Sequence, residues 1–143
     1  SALSVGRGTD FPFHQVGAPW LDTTQVLATI RRAALPGVRF EGVTFTPHQP
    51  GDAKFADTTV AGIRLVITDR DRYDPTAVAV YLLAAIRDVH PDQVRIGGSF
   101  DRLAGGRTLR EALLAGQSPA AIVAGWTAGI AAYRQRVQPF LVY

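Results

Sequence analysis

Apolar and polar residues alternate most clearly at Ile63, Leu65 and Ile67, the period-two signature of a half-buried strand ending at Thr68-Asp69. Val38 and Phe40, then Val43 and Phe45, predict a second strand over 38–46, with the change of phase at Glu41-Gly42 read as a bulge. A helical period appears at Val26, Leu27, Ile30 and Ala34, behind an Asp22 or Thr23 cap and before the breaker Pro36-Gly37. It returns at Val78, Leu82, Ala85, Ile86 and Val89, where Asp74 caps, Pro75 opens and His90-Pro91 ends the helix. Thr108 and Glu111 have capping-box spacing for a short helix ending at Gly116. Ser118-Pro119 starts a longer one through Ile122, Val123, Trp126, Ile130 and Tyr133.

The remaining segments are less regular. Residues 2–6 and 93–96 read as short strands, 6–20 and 47–61 as loops, and Gly97-Gly98-Ser99 as a turn. Phe140-Leu141-Val142-Tyr143 reads as a last strand or a packed tail. Helices interleaved with strands predict one α/β (α+β) domain, with a mixed sheet of about three to five strands and about four helices packed on it.

A chain of 143 residues suits one domain with a sizeable core, and 47% apolar against 19% charged residues is ordinary for a globular protein. Arginines are scattered along the chain without long runs and the net charge is only +3, so no nucleic-acid partner is expected. The absence of cysteine excludes disulfides and thiolate metal sites. His14, His48 and His90 lack metal-ligand spacing, so no metal is expected. No apolar run approaches the ~20 residues of a membrane span. Methionine is absent even at position 1, and the chain opens directly on a predicted strand, which reads as part of a longer protein.

Candidate chemistry concentrates in Ser4-Val5-Gly6-Arg7-Gly8-Thr9-Asp10. Glycines on both sides of an arginine permit unusual dihedrals and close approach of a ligand. Arg7 offers a planar fork of donors for a carboxylate or phosphate, or a salt bridge that ties the loop down. Thr9 and Asp10 add a hydroxyl and a carboxylate. Phe11, Phe13 and Trp20 either pack beneath the loop or offer faces to a sugar. Lys54-Phe55, in the second long loop, can supply another basic contact. Other motifs fail. Gly6-Arg7-Gly8 lacks the third glycine of a dinucleotide fingerprint, and the later glycine pairs lack the Gly-Lys-Ser/Thr of a phosphate loop. No serine stands in a nucleophile elbow.

The series Ser-Val-Gly-Arg-Gly-Thr-Asp-x-Pro-Phe over 4–13, Gly-Ala-Pro-Trp over 17–20 and Leu-Pro-Gly-Val-Arg-Phe over 35–40 resembles a known bacterial family. Phe-Thr-Pro (45–47), Lys-Phe-Ala (54–56), Val-Ile-Thr-Asp (66–69) and Phe-Asp-Arg-Leu-Ala-Gly (100–105) continue it, through Trp126 and Arg136 to the terminal Phe-Leu-Val-Tyr. It is similar to the C-terminal domain of exo-β-N-acetylmuramidases of the NamZ type, long a domain of unknown function. Where many members carry Cys-Gly-Gly-Val, this chain has Val60-Ala61-Gly62-Ile63.

The resemblance implies a glycosidase in which a Rossmann-like N-terminal domain precedes this one and the cleft lies between them. It implies removal of N-acetylmuramic acid from the non-reducing end of peptidoglycan fragments, without cofactor, in a secreted or periplasmic setting. The catalytic carboxylate is then expected on the N-terminal domain, which leaves this chain inactive alone. Arg7, Gly8, Thr9, Asp10, Phe13, Lys54 and Phe55 are the expected substrate-binding residues, with Arg7 on the lactyl carboxylate. The alternative is a non-catalytic module that binds glycan or joins another domain.

Overall fold

The computed structural model describes residues 2–141, so the expectation for Val142 and Tyr143 lies outside it. Three strands, β1 (Gln15–Ala18), β2 (Val38–Phe45) and β3 (Val60–Ile67), form a sheet in the order β1-β3-β2. Both pairings are antiparallel, so the sheet is not the mixed one expected. Between and after the strands come α1 (Thr23–Arg31), α2 (Pro75–Val89), α3 (Gly98–Ala104), α4 (Thr108–Leu114), α5 (Pro119–Ala124) and α6 (Thr127–Val137). The α+β class stands, with six α-helices among the described residues in place of about four.

Local chemistry explains the helices that the pattern foresaw. The Asp22 carboxylate accepts from the Gln25 amide at 3.0 Å, and the Asp74 carboxylate accepts from Thr76 and Ala77 at 3.0 and 2.9 Å. Each meets backbone donors that a first turn leaves orphaned. His90 then joins the two helices: its Nε2 accepts from the Asp22 amide at 2.9 Å, and its ring meets Trp20 edge to face.

Helix α2 is buried on two sides. Val78, Leu82, Ala85 and Ile86 pack with Val26, Leu27 and Ile30 of α1 and with Phe40 and Ile63 of the sheet. Val80 and Ala84 form a second cluster with Leu113 and Ile122 from α4 and α5. Arg87 secures that junction by donating to the Leu113 carbonyl at 2.8 Å, an acceptor at the end of α4 that also takes the Gly116 amide at 3.1 Å. Arg110 and Asp101 join α4 to α3 through a two-pronged ion pair with bonds of 2.8 and 2.9 Å. Helix α6 buries none of its residues, and Ile130, Tyr133, Phe140 and Leu141 remain exposed at the end of the chain.

Several expectations are corrected. Residues 2–6 make only an isolated bridge, Ser4 with Gly17, while the third strand lies at Gln15–Ala18, inside the segment expected to be loop. Residues 93–96 form no strand, and a helix begins at Gly98. Thr108 starts α4 without a capping box, the N-cap being Arg107, which pairs with Glu111 at 3.5 Å. The long helix after Ser118 divides at Gly125-Trp126 into α5 and α6. Phe140 ends a 3₁₀ turn over Gln138–Phe140, not a strand.

Glu41-Gly42 carries no bulge, because β2 and β3 pair without interruption from Val38↔Ile67 to Phe45↔Val60. The shift of hydrophobic phase has another cause: the sheet is covered on both faces. Phe40 packs toward the helices, whereas Phe45, five residues on, lies on the opposite face against Gly17 and Gly62. A Cβ on either glycine would sit within 2.7 Å of the Phe45 ring.

Candidate functional site

The face of the sheet turned from the helices is where the opening loop folds. Gln15 and Arg64 stand side by side in the β1–β3 register on this face. Ser4 and Gln15 are the buried polar residues among the described residues, each at most 2% exposed. Such burial requires partners. Gln15 Nε2 donates to Thr9 Oγ1 at 2.9 Å, and its Oε1 accepts from Arg64 Nε and Nη2 at 3.2 and 3.0 Å. Thr9 Oγ1 also donates to the Gly6 carbonyl at 2.7 Å and accepts from the Phe11 amide at 3.2 Å. One donor and two lone pairs are thereby occupied, which is all a hydroxyl has.

The two glycines beside Arg7 are required by the protein's own close contacts. Gly6 and Gly8 adopt φ of +74° and +76°. A Cβ at Gly6 would lie 2.8 Å from Gln15 Cγ, and one at Gly8 would lie 2.4 Å from the His48 carbonyl oxygen. The His48 amide donates to the Gly8 carbonyl at 2.8 Å, so the opening loop is fastened to the loop after β2. That second loop holds Gln49, Ala53, Phe55 and Asp57 at positive φ. Its turns close through hydrogen bonds such as Asp57 amide to Pro47 carbonyl at 2.8 Å.

Between these loops and the sheet edge lies a groove of about 680 Å³, within the range of small-ligand sites. Gly8, Thr9, Asp10 and Phe11 form one wall, and Thr46, His48 and Thr59 belong to the other. Phe45 and Arg64 line it from the sheet. His48 Nδ1 and Asp57 Oδ1 are 2.9 Å apart, and the hydroxyls of Thr46 and Thr59 are hydrogen-bonded at 2.8 Å. The Arg64 guanidinium lies 3.9 Å from the centre of the Phe11 ring. Glu41 is its cross-strand neighbour, yet Glu41 pairs with Arg39 at 2.7 Å. Among the described residues no carboxylate is paired with Arg64.

The expected substrate-binding residues separate. Gly8, Thr9 and Asp10 line the groove, but Arg7 and Phe13 do not. Those two are exposed and stack on one another, the Arg7 guanidinium 5.1 Å from the Phe13 ring centre. Lys54 is half-buried, and its Nζ donates to the Leu3 carbonyl at 3.2 Å. Phe55 packs against the main core. Arg64, Gln15 and His48 are among the groove residues that the sequence did not single out. Arg64 carried a usable signal, being the one charge in the run Val60-Ala61-Gly62-Ile63-Arg64-Leu65-Val66-Ile67. Gln15 and His48 carried none, since only the folded loops bring them there.

Sheet and loops together define an α+β domain that presents a hydroxyl-rich groove holding one arginine and one carboxylate. The chain belongs to the family described as exo-β-N-acetylmuramidase NamZ, C-terminal, whose profile matches residues 1–143. It is 31% identical over 143 residues to the peptidoglycan β-N-acetylmuramidase NamZ of Bacillus subtilis (strain 168), spanning 99% of this chain but only 34% of that protein. The fold is shared with two DUF1343 family crystal structures from Bacteroides fragilis. One aligns with TM-score 0.87 at 19% identity, covering 99% of this chain and 38% of that one. The other gives 0.59 at 20% identity, covering 100% and 37%.

Proposed function

We propose that this chain is the saccharide-binding part of a peptidoglycan glycosidase that releases N-acetylmuramic acid from the non-reducing end of cell-wall fragments. Family membership supports the substrate class. The observation that carries the reading is the groove: threonine hydroxyls, the Asp10 carboxylate and the exposed Phe11 ring face one volume in the small-ligand range. Sugars are bound by polar groups that take their hydroxyls and by aromatic rings that take their C–H faces. Gly8 and Asp10 are the proposed direct contacts of the opening loop, with Thr9 holding that loop in shape.

Most glycoside hydrolases use two carboxyl groups placed across the scissile bond. Among the described groove residues Asp10 is the one carboxylate. A second must come from elsewhere, and we place it on the N-terminal domain of the same protein. The exposed Ile130, Tyr133, Phe140 and Leu141 favour a domain contact at the other end of the chain. In this reading the chain alone binds saccharide and does not hydrolyse it.

The test is titration of the isotopically labelled chain with a disaccharide bearing non-reducing-end N-acetylmuramic acid, alongside kinetics of the intact protein. Amide shifts confined to Gly8, Phe11, Thr46 and His48 are expected, with a large fall in turnover for Asp10→Asn. Shifts elsewhere, together with unchanged turnover in that variant, remove the groove from the site.

A further inference from the structure

We infer that Arg64, rather than the glycine-flanked Arg7, is the residue of this chain that recognises a carboxylate on the bound saccharide. On muramic acid that group is the lactyl carboxylate. The inference rests on the reading of the groove as a saccharide site and adds the group that decides which saccharide enters.

Among the described residues Arg64 is the one arginine or lysine lining the groove, and it rises half-buried from the central strand. A guanidinium has five N–H donors in a fixed plane. Nε and one Nη2 hydrogen are spent on Gln15 Oε1, which leaves both Nη1 hydrogens and the second Nη2 hydrogen without an acceptor among the described residues. Two of those donors, one on each Nη, lie along the Nη1–Nη2 edge, which can meet a carboxylate with two parallel bonds.

The orientation is set in advance. Gln15 is 1% exposed and is itself held by Thr9, while Phe11 covers one face of the guanidinium plane. Preorganisation of this kind reduces the entropy lost when a ligand binds. Among the described residues, by contrast, no carboxylate lies within ion-pair distance of the Arg64 guanidinium. An amide oxygen and a ring face stabilise a guanidinium but leave its full positive charge, and Glu41 is engaged by Arg39. Asp10 also lines the groove without a hydrogen bond or ion pair from its carboxylate among the described residues. It supplies an acceptor for sugar hydroxyls or an acetamido N–H. A cation and an acceptor in one groove complement a sugar that bears both a carboxylate and N–H or O–H donors. Arg7 lacks this setting, being exposed and outside the groove lining.

The experiment compares kcat/KM of the intact protein on two disaccharides, one with a free lactyl carboxylate and one with that group as its methyl ester. Arg64→Met is expected to lose about 10- to 100-fold on the free acid, the scale of a charged hydrogen-bonded contact, and under about threefold on the ester. Arg64→Lys, which keeps the charge but not the fork, is expected to fall between. Thermal melting of each variant reports whether the fold is kept. Equal losses on both substrates, or a greater loss of acid preference in Arg7→Met than in Arg64→Met, overturn the assignment. Asp10→Asn separates the two levels: if it impairs both substrates while Arg64→Met fails to discriminate, the groove stands and only the carboxylate role falls. If neither variant affects either substrate, the groove reading falls with it.

Discussion

Arg64 of the central strand and Phe11 of the opening loop are stacked, the guanidinium carbon 3.9 Å from the ring centre. The contact ties the loop to the sheet on the side away from the helices. Replacing Phe11 by Leu keeps most of the apolar area and removes the π face. Chemical denaturation is expected to show a loss of about 0.5–2 kcal/mol. A double-mutant cycle with Arg64→Met should return a coupling of that order, and strict additivity would mean that the stacking contributes nothing.

Gly8 carries a sharper steric constraint. At φ +76°, with the His48 carbonyl oxygen 2.4 Å from any added Cβ, alanine must either displace one loop or strain both. The expected cost is about 1–3 kcal/mol, accompanied by altered amide shifts at His48. Gly51 provides the contrast, since nothing lies within 4 Å of its would-be Cβ. Gly51→Ala should stay within about 0.5 kcal/mol of the parent. Equal stability of the two variants would show that the Gly8–His48 contact does not restrict the loop.

Phe45 is buried on the loop-covered face, over Gly17 and Gly62. Phe45→Ala removes a ring that no neighbouring side chain on those glycines can replace. A loss of about 3–5 kcal/mol is expected by equilibrium unfolding. Phe45→Leu, which refills part of the volume, should cost clearly less. If the two substitutions cost the same, the ring is not filling a tight space.

Acid stability follows from two carboxylates. Hydrogen bonds from the Gln25 backbone and side chain hold the Asp22 carboxyl below its ordinary range. The hydrogen bonds of Arg110, with its charge, do the same for Asp101 against an opposing desolvation. Folding lowers both pKa values, so their contribution is complete above the usual carboxylate range near pH 4. It is lost as pH falls through the folded-state values. Arg110→Gln should therefore flatten the low-pH limb of a melting-temperature profile and leave its shape above about pH 5 little changed. An acid limb as steep as the parent's would exclude Asp101 as a contributor.

The local signals that proved reliable were those whose cause is local. Asp22 and Asp74 were legible as caps because a carboxylate before a helical period meets orphaned amides within three residues. Gly116 was legible as a stop and adopts φ +73° just beyond α4. Strand β1 was not legible, because Gln15-Val16-Gly17-Ala18 has little β propensity of its own. It is a strand because β3 offers it an edge. The supposed bulge in β2 failed for a related reason: its altered hydrophobic phase records Phe45 packing on the second face over Gly17 and Gly62 of the neighbouring strands.

The opening loop divides in the same way. Its glycines, hydroxyl and carboxylate marked it as special, and Gly8 and Asp10 do line the groove. Its arginine, the most conspicuous residue of the motif, lies outside it, while Arg64, 57 positions later than Arg7, lies within. Sequence determined strands β2 and β3, the helices capped by Asp22 and Asp74, and the chemistry that this chain carries, because those depend on neighbours within a few bonds. Tertiary structure decided which charges meet in one place, because strand register and loop closure bring together residues far apart in the chain. Of two arginines with the same chemistry, only packing placed one among the hydroxyls of the groove.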